Sequence, residues 1–112
     1  MSPLANSIYA VLRRRLHAPS KSITYKELAA AVSSHPRSSK LHAALTEVTE
    51  ACLSAKLPAL PAIVWSATKS RPSSGYYEAA HPRARTDEGK LAAWEAEHER
   101  VLRFVAKFPA RL

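Results

Sequence analysis

The placement of prolines constrains this chain more than any other feature. Proline occurs eight times and glycine only twice, so prolines set most of the boundaries between elements. Proline lacks the amide hydrogen that a helix interior requires, and it biases the preceding residue away from helical dihedral angles. Pro19, Pro36 and the pair Pro58 and Pro61 therefore separate the apolar segments from one another. The sequence predicts short elements joined by rigid breaks.

Apolar residues at helical spacing predict three helices in the first half of the chain. The first covers residues 3–16. The second follows a short extended piece, and Thr24 caps it in a capping box with Glu27. The third covers residues 39–55. Its predicted apolar face consists of Leu41, Leu45, Val48, Cys52 and Leu53.

The next segment is typical of a β-hairpin. Residues 57–61 are interpreted as a rigid extended link, and residues 62–66 are rich in β-branched and aromatic side chains. Residues 69–75 have the composition of a turn, and residues 76–78 are the expected return strand. The predicted hairpin therefore has a basic tip.

A last helix is predicted to begin after Thr86 or Asp87, whose side chains suit a helix N-terminus. Its apolar stripe favours packing on the domain, with a homodimer seam as the alternative. Glu95, Glu97 and Glu99 are expected to lie in solvent. The stripe consists of Leu91, Trp94, His98, Val101, Val105 and Phe108.

The order of these elements is helix, short strand, helix, turn, helix and hairpin, which is the order in a winged helix. The sequence therefore predicts an α+β, winged-helix-like domain with three N-terminal helices, a hairpin wing and a C-terminal helix. A chain of 112 residues fits one domain. Residues 1–85 would form its core and wing, and residues 86–108 its C-terminal helix.

The charge is strongly basic and unevenly distributed. The formal net charge is +8, and a balance of this kind attracts polyanions. Between Arg13 and Lys40 there are seven basic residues and one acid, Glu27, whereas most acids follow residue 86. In a winged helix, the third helix, the turn before it and the wing tip contact nucleic acid. The candidate DNA-binding residues at these places are Arg37, Ser39, Lys40, His42, Lys69 and Arg71.

Three short motifs follow one another in the chain. They are Ser-Ile-Thr-Tyr-Lys-Glu-Leu-Ala at residues 22–29, Leu-Pro-Ala-Ile-Val at residues 60–64 and Ser-Gly-Tyr at residues 74–76. In order and spacing they resemble motifs of the alkylguanine-DNA alkyltransferases and the alkyltransferase-like proteins. The resemblance implies a DNA-binding winged helix. It adds Tyr25, which matches a tyrosine that lies beside a DNA phosphate, and it places Lys40 near an intercalating arginine.

The acceptor motif of that family, Pro-Cys-His-Arg, is missing. Trp65, Ser66, Ala67 and Thr68 follow the second motif, so a serine stands where the acceptor cysteine would be, without an adjacent histidine. Cys52 is expected to be a core residue. No His or Cys pair has the spacing of a metal site. The sequence therefore predicts no enzyme, no metal and no cofactor.

We interpret the sequence as a non-catalytic DNA-binding protein, either a transcriptional regulator or a module that recognises a DNA structure. The main alternative is a small basic protein-interaction module, such as a phage-type inhibitor of a nucleic-acid-binding machine. A third hypothesis is a degenerate enzyme in which Ser66 is a relic. One cysteine, no secretory signal and no apolar spanning segment favour a cytoplasmic protein without a membrane partner.

Overall fold

The computed structural model describes all 112 residues as an α+β domain with five α-helices and a two-stranded sheet. The elements, in chain order, are α1 (Pro3–Arg15), β1 (Ile23–Thr24), α2 (Tyr25–Ala31), α3 (Ser39–Ser54), a 3-10 helix (Leu60–Ile63), β2 (Val64–Trp65), α4 (Ser74–Ala80), α5 (Asp87–Arg103) and a second 3-10 helix (Val105–Lys107). Twenty-three buried apolar residues form one cluster that includes members of all five α-helices. No helix of the structure has the length and apolar character needed to cross a membrane.

The helices of the first half follow the sequence prediction closely. At the start of α1, the Ser2 side chain accepts a hydrogen bond from the amide of Ala5. At the start of α2, the Glu27 amide donates to Thr24 Oγ1, and Glu27 Oε1 accepts from the Thr24 amide, both at 3.1 Å. The predicted capping box is therefore confirmed. It makes Tyr25 the first residue of α2.

Helix α3 is the centre of the fold, because it packs against both α1 and α4. Its predicted apolar face is confirmed for Leu41, Leu45, Val48 and Cys52, which are all buried. Leu53 is 40% exposed, so its place on that face was wrong. Leu53 directly follows Cys52, and successive side chains of a helix point in different directions around its axis. The Leu53 side chain therefore points away from the buried face of α3.

The hairpin region differs most from the sequence prediction. Tyr76 and Tyr77 lie in α4, so the predicted return strand is wrong. A strand would have pointed these neighbouring side chains to opposite faces, whereas α4 buries both. The expected extended link ends in a 3-10 helix, and β2 pairs with β1 in parallel through Ile23 and Val64.

In place of a full hairpin, residues 66–71 form a loop that one antiparallel bridge closes between Ser66 and Arg71. We refer to it as the 66–71 loop. The Ser66 amide donates to the Arg71 carbonyl at 2.9 Å, and the Ser70 amide donates to the Ser66 carbonyl at 2.8 Å. Ser70 has a φ of 53°, a left-handed conformation that lets the loop turn back within so few residues.

Helix α5 begins as predicted, with the Thr86 side chain accepting from the Gly89 amide. Trp94 and Val101 are buried and Leu91 is 37% exposed. The expectation that Glu97 lies in solvent was wrong, because only 5% of the residue is exposed. Its Oε2 accepts a hydrogen bond from the buried amide of Ala59 at 3.1 Å, which explains why a carboxylate is placed there.

Candidate nucleic-acid interface

An open cleft of about 470 Å³ lies beside the start of α2 and the 66–71 loop. It brings together four of the seven predicted site residues: Tyr25, His42, Lys69 and Arg71. The first two come from the helical half of the chain and the last two from the loop, so folding joins segments far apart in sequence. The other lining residues are Pro36, Ser66, Pro72, Ser73, Ser74, Tyr77, Asp87 and Lys90.

Tyr25 forms part of the wall of this cleft. Its hydroxyl donates to Ser73 Oγ at 3.0 Å and accepts from the Ser73 amide at 2.8 Å. These two bonds hold the start of α2 against the segment that leads into α4. Burial raises the pKa of Tyr25, and the hydrogen bonds from Ser73 oppose that shift. The Tyr25 hydroxyl is thus engaged within the protein by its two bonds with Ser73.

His42 lies next to Tyr25 on the cleft wall. The two ring centroids are 5.3 Å apart, and the planes are tilted by 34°. His42 Nε2 lies 3.0 Å from the carbonyl oxygen of Pro36. Because a carbonyl only accepts, Nε2 carries the hydrogen of this bond. The turn between α2 and α3 therefore fixes the orientation of the imidazole.

The N-terminus of α3 carries the other three predicted residues, Arg37, Ser39 and Lys40. All three are exposed and lie outside the cleft lining, although their chain neighbours Pro36 and His42 belong to it. No side chain caps this helix, and its first turn contains no acid. The free amides of such a terminus suit an anion.

The charges of the cleft are not neutralised within the molecule. Lys69, Arg71 and Lys90 line it together with one acid, Asp87. None of these four residues takes part in an ion pair. The three ion pairs of the structure join Arg15 to Glu27, Arg100 to Glu97 and Arg103 to Glu99.

Ser66, at the position that corresponds to the acceptor cysteine in the resemblance, also lines the cleft. Its Oγ lies 2.9 Å from Thr68 Oγ1, and it has no hydrogen bond with His42. Cys52 is buried in the core, and burial raises the pKa of its thiol to about 11, which keeps it protonated near neutral pH. No group of three His, Cys, Asp or Glu side chains is arranged to hold a metal ion.

Several lining residues escaped the sequence prediction. Lys90 lies outside the segments that the winged-helix interpretation assigned to DNA. Ser73 lies in the predicted turn of the wing but was not among the candidate DNA-binding residues. Tyr77 was predicted to lie in a return strand and was not among the candidate site residues. It is buried in α4, and its hydroxyl has no hydrogen-bond partner.

No protein-family model matches this chain, and no match was found among curated proteins or among solved structures. The likeness to the alkyltransferases therefore stays a prediction from three short motifs.

Proposed function

We propose that this protein is a non-catalytic, cytoplasmic DNA-binding protein that acts as a regulator or recognises a DNA structure. Its DNA-binding face would consist of the cleft, the uncapped start of α3 and the 66–71 loop; we call this the cleft face. The observation that carries the proposal is the set of cations on this face, which come from distant segments and have no acidic partners. Unpaired cations on one surface favour phosphate contacts.

The proposal includes a winged-helix-like arrangement of the elements. Helices α2 and α3, with the turn between them, would act as a helix-turn-helix, and the 66–71 loop would take the place of the wing. Helix α3 has 16 residues, which corresponds to a length of about 24 Å, and the major groove of DNA admits an α-helix. Ser39 and Lys40 are exposed at its first turn, and in this proposal they would contact phosphate or base edges.

The test is a titration of a short DNA duplex against the protein at increasing ionic strength, with fluorescence anisotropy as the readout. We expect the logarithm of the binding constant to fall linearly with the logarithm of salt concentration. The double variant Arg37→Ala, Lys40→Ala should bind about tenfold more weakly and with a salt slope reduced by about 2, since each phosphate contact contributes about 0.9.

The matched control is Arg103→Ala with Arg111→Ala, which removes the same charge from the C-terminal part of the chain. Both arginines are exposed and lie outside the cleft lining. If the control weakens binding as much as the Arg37 and Lys40 variant, the net charge alone accounts for binding and the proposed face is wrong. A wild-type protein that is not retained on DNA at low salt, but co-purifies with one protein, would favour the protein-interaction alternative.

A further inference from the structure

The hydroxyl of Tyr77 is the one buried side-chain polar atom without a hydrogen-bond partner in the structure. The residue is only 6% exposed. Its neighbour Tyr76 is equally buried, but its hydroxyl lies 2.9 Å from His81 Nε2. Leaving a buried hydroxyl unpaired costs about 1–3 kcal/mol, so such groups often mark functional positions.

The buried, unpaired hydroxyl belongs to a residue of the cleft wall. Tyr77 lines it, and the groups whose charges act on the Tyr77 hydroxyl are Arg71, Tyr25 and Asp87, all of which line it too. Burial raises the pKa of Tyr77, while the Arg71 guanidinium lowers it in part. The hydroxyl therefore keeps its proton near neutral pH and acts as a hydrogen-bond donor.

Several other side chains that line the cleft are donors as well. Arg71 and Lys90 offer only donors, and Ser74 adds a hydroxyl. A set of converging donors fits a ligand that is rich in acceptors. Lys69, Arg71 and Lys90 outnumber the single acid of the cleft, Asp87, so a ligand with more than one negative charge is attracted more strongly than a singly charged one.

We propose that the cleft binds a terminal phosphate, a phosphomonoester held between the Arg71 guanidinium and the Tyr77 hydroxyl. This inference rests on the proposed DNA binding and names the part of the DNA that enters the cleft: a phosphorylated strand end. A phosphomonoester has three free oxygens and nearly two negative charges at neutral pH. A backbone phosphodiester has one charge and two bulky ester groups, which keep it from a recessed hydroxyl. The Arg71 fork suits two of the phosphate oxygens.

The experiment compares duplexes of one sequence that differ only at their ends. One form has 5′-phosphates, a second has 3′-phosphates, a third has hydroxyl ends, and a fourth is closed by hairpins and has no ends. We expect wild-type protein to bind one of the phosphorylated forms about tenfold more tightly than the hydroxyl form, because hydrogen bonds to charged groups are among the stronger ones. The closed duplex should bind like the hydroxyl form.

Tyr77→Phe should abolish this preference, and its affinity for the closed duplex is measured beside it so that loss of the end preference is distinguished from loss of DNA binding. Tyr76→Phe is the matched control, since it removes a neighbouring hydroxyl that already has a partner; it should keep the preference. The two variants should also differ in stability. Tyr77→Phe should raise the free energy of unfolding and Tyr76→Phe should lower it, each by about 1 kcal/mol. Arg71→Ala, which alters only the loop, gives an independent test of the same preference.

A further arm uses thymidine 5′-monophosphate alone, followed by chemical-shift changes. Tyr77-dependent binding of this nucleotide with no preference for phosphorylated DNA ends would support the phosphate site and assign it to a free nucleotide. Equal affinity for phosphorylated and hydroxyl ends, with no binding of the nucleotide, would overturn the site and leave the proposed DNA binding intact. Absence of binding to every duplex would overturn the DNA-binding function. The titration with thymidine 5′-monophosphate would then still show whether the cleft binds a terminal phosphate.

Discussion

The cleft face and the C-terminal part of helix α5, residues 94–103, both contain several charged residues, but these residues have different partners. The first turn of α5 belongs to the cleft face, because Asp87 and Lys90 line the cleft. In α5, Arg100 and Arg103 each pair with a glutamate of the same helix at 2.8 Å. On the cleft face, Lys69, Arg71 and Lys90 have no ion pair. The charges in the C-terminal part of α5 are therefore mostly paired within the helix, whereas those of the cleft face, Lys90 of the first turn of α5 included, form no ion pair.

The difference extends to buried polar groups. Glu97 of α5 accepts from the Ala59 amide, and Trp94 Nε1 donates to the Ala62 carbonyl at 2.8 Å. Together these bonds attach α5 to the 3-10 helix that precedes β2. On the cleft side, the Tyr77 hydroxyl has no partner. We infer that the C-terminal part of α5 serves stability and the cleft face serves binding, so substitutions in the two regions should affect different measurements.

The largest effect is expected for Glu97→Ala. The change leaves the buried Ala59 amide without an acceptor and removes the partner of Arg100. We expect a loss of about 3 kcal/mol in the free energy of unfolding, measured by urea denaturation. Glu99→Ala, which removes only an exposed pair, should cost about 0.5 kcal/mol at most. DNA affinity of the folded Glu97 variant should not change; a large loss of affinity would contradict the division between the two regions.

A loss of DNA affinity without a loss of stability is expected for Lys69→Ala combined with Lys90→Ala. Both side chains line the cleft without an ionic partner. Duplex affinity should fall about tenfold, which corresponds to about 1.4 kcal/mol, because two phosphate contacts are lost. The unfolding transition should stay where it is in the wild type. If stability falls and affinity does not, these lysines belong to the scaffold.

The two helix starts in the proposed helix-turn-helix give a smaller, matched contrast. Thr24→Ala removes the cap of α2 and should cost about 1 kcal/mol of unfolding free energy. Ser38→Ala changes an N-cap residue of α3 whose side chain makes no capping bond, so its cost should be close to zero. Equal losses in the two variants would show that Ser38 caps α3 in solution, which would weaken the case for free amides there.

The smallest effect is a pH dependence that arises in and near α5. Burial lowers the pKa of His98. Burial also lowers the pKa of His81, although the negative charge of Glu97 acts in the opposite direction and raises it. The folded state then binds fewer protons than the unfolded state, in which histidines have a pKa of about 6.5. Stability should be complete above that pH and decline as pH falls below it. His98→Gln should reduce this decline in thermal-denaturation curves, whereas exposed His17→Gln should leave it unchanged.

Local signals in the sequence were enough to predict several of these elements. The capping box of Thr24 and Glu27 and the cap at Thr86 involve atoms within three residues of each other, so their pattern could be recognised without the fold. Residues 76–78 show the opposite case. Two tyrosines favour a strand by composition, but packing of α4 against α3 made this segment helical.

The sequence by itself determined the helices with strong caps, the interruptions at prolines and the excess of basic charge. Each depends on residue type or on contacts within a few positions. Only the tertiary structure decided that Glu97 is buried, that Tyr77 has an unpaired hydroxyl, and that Tyr25 lies beside Ser73. These outcomes depend on distances between segments dozens of residues apart, and a pattern with helical or strand periodicity carries no information about such distances.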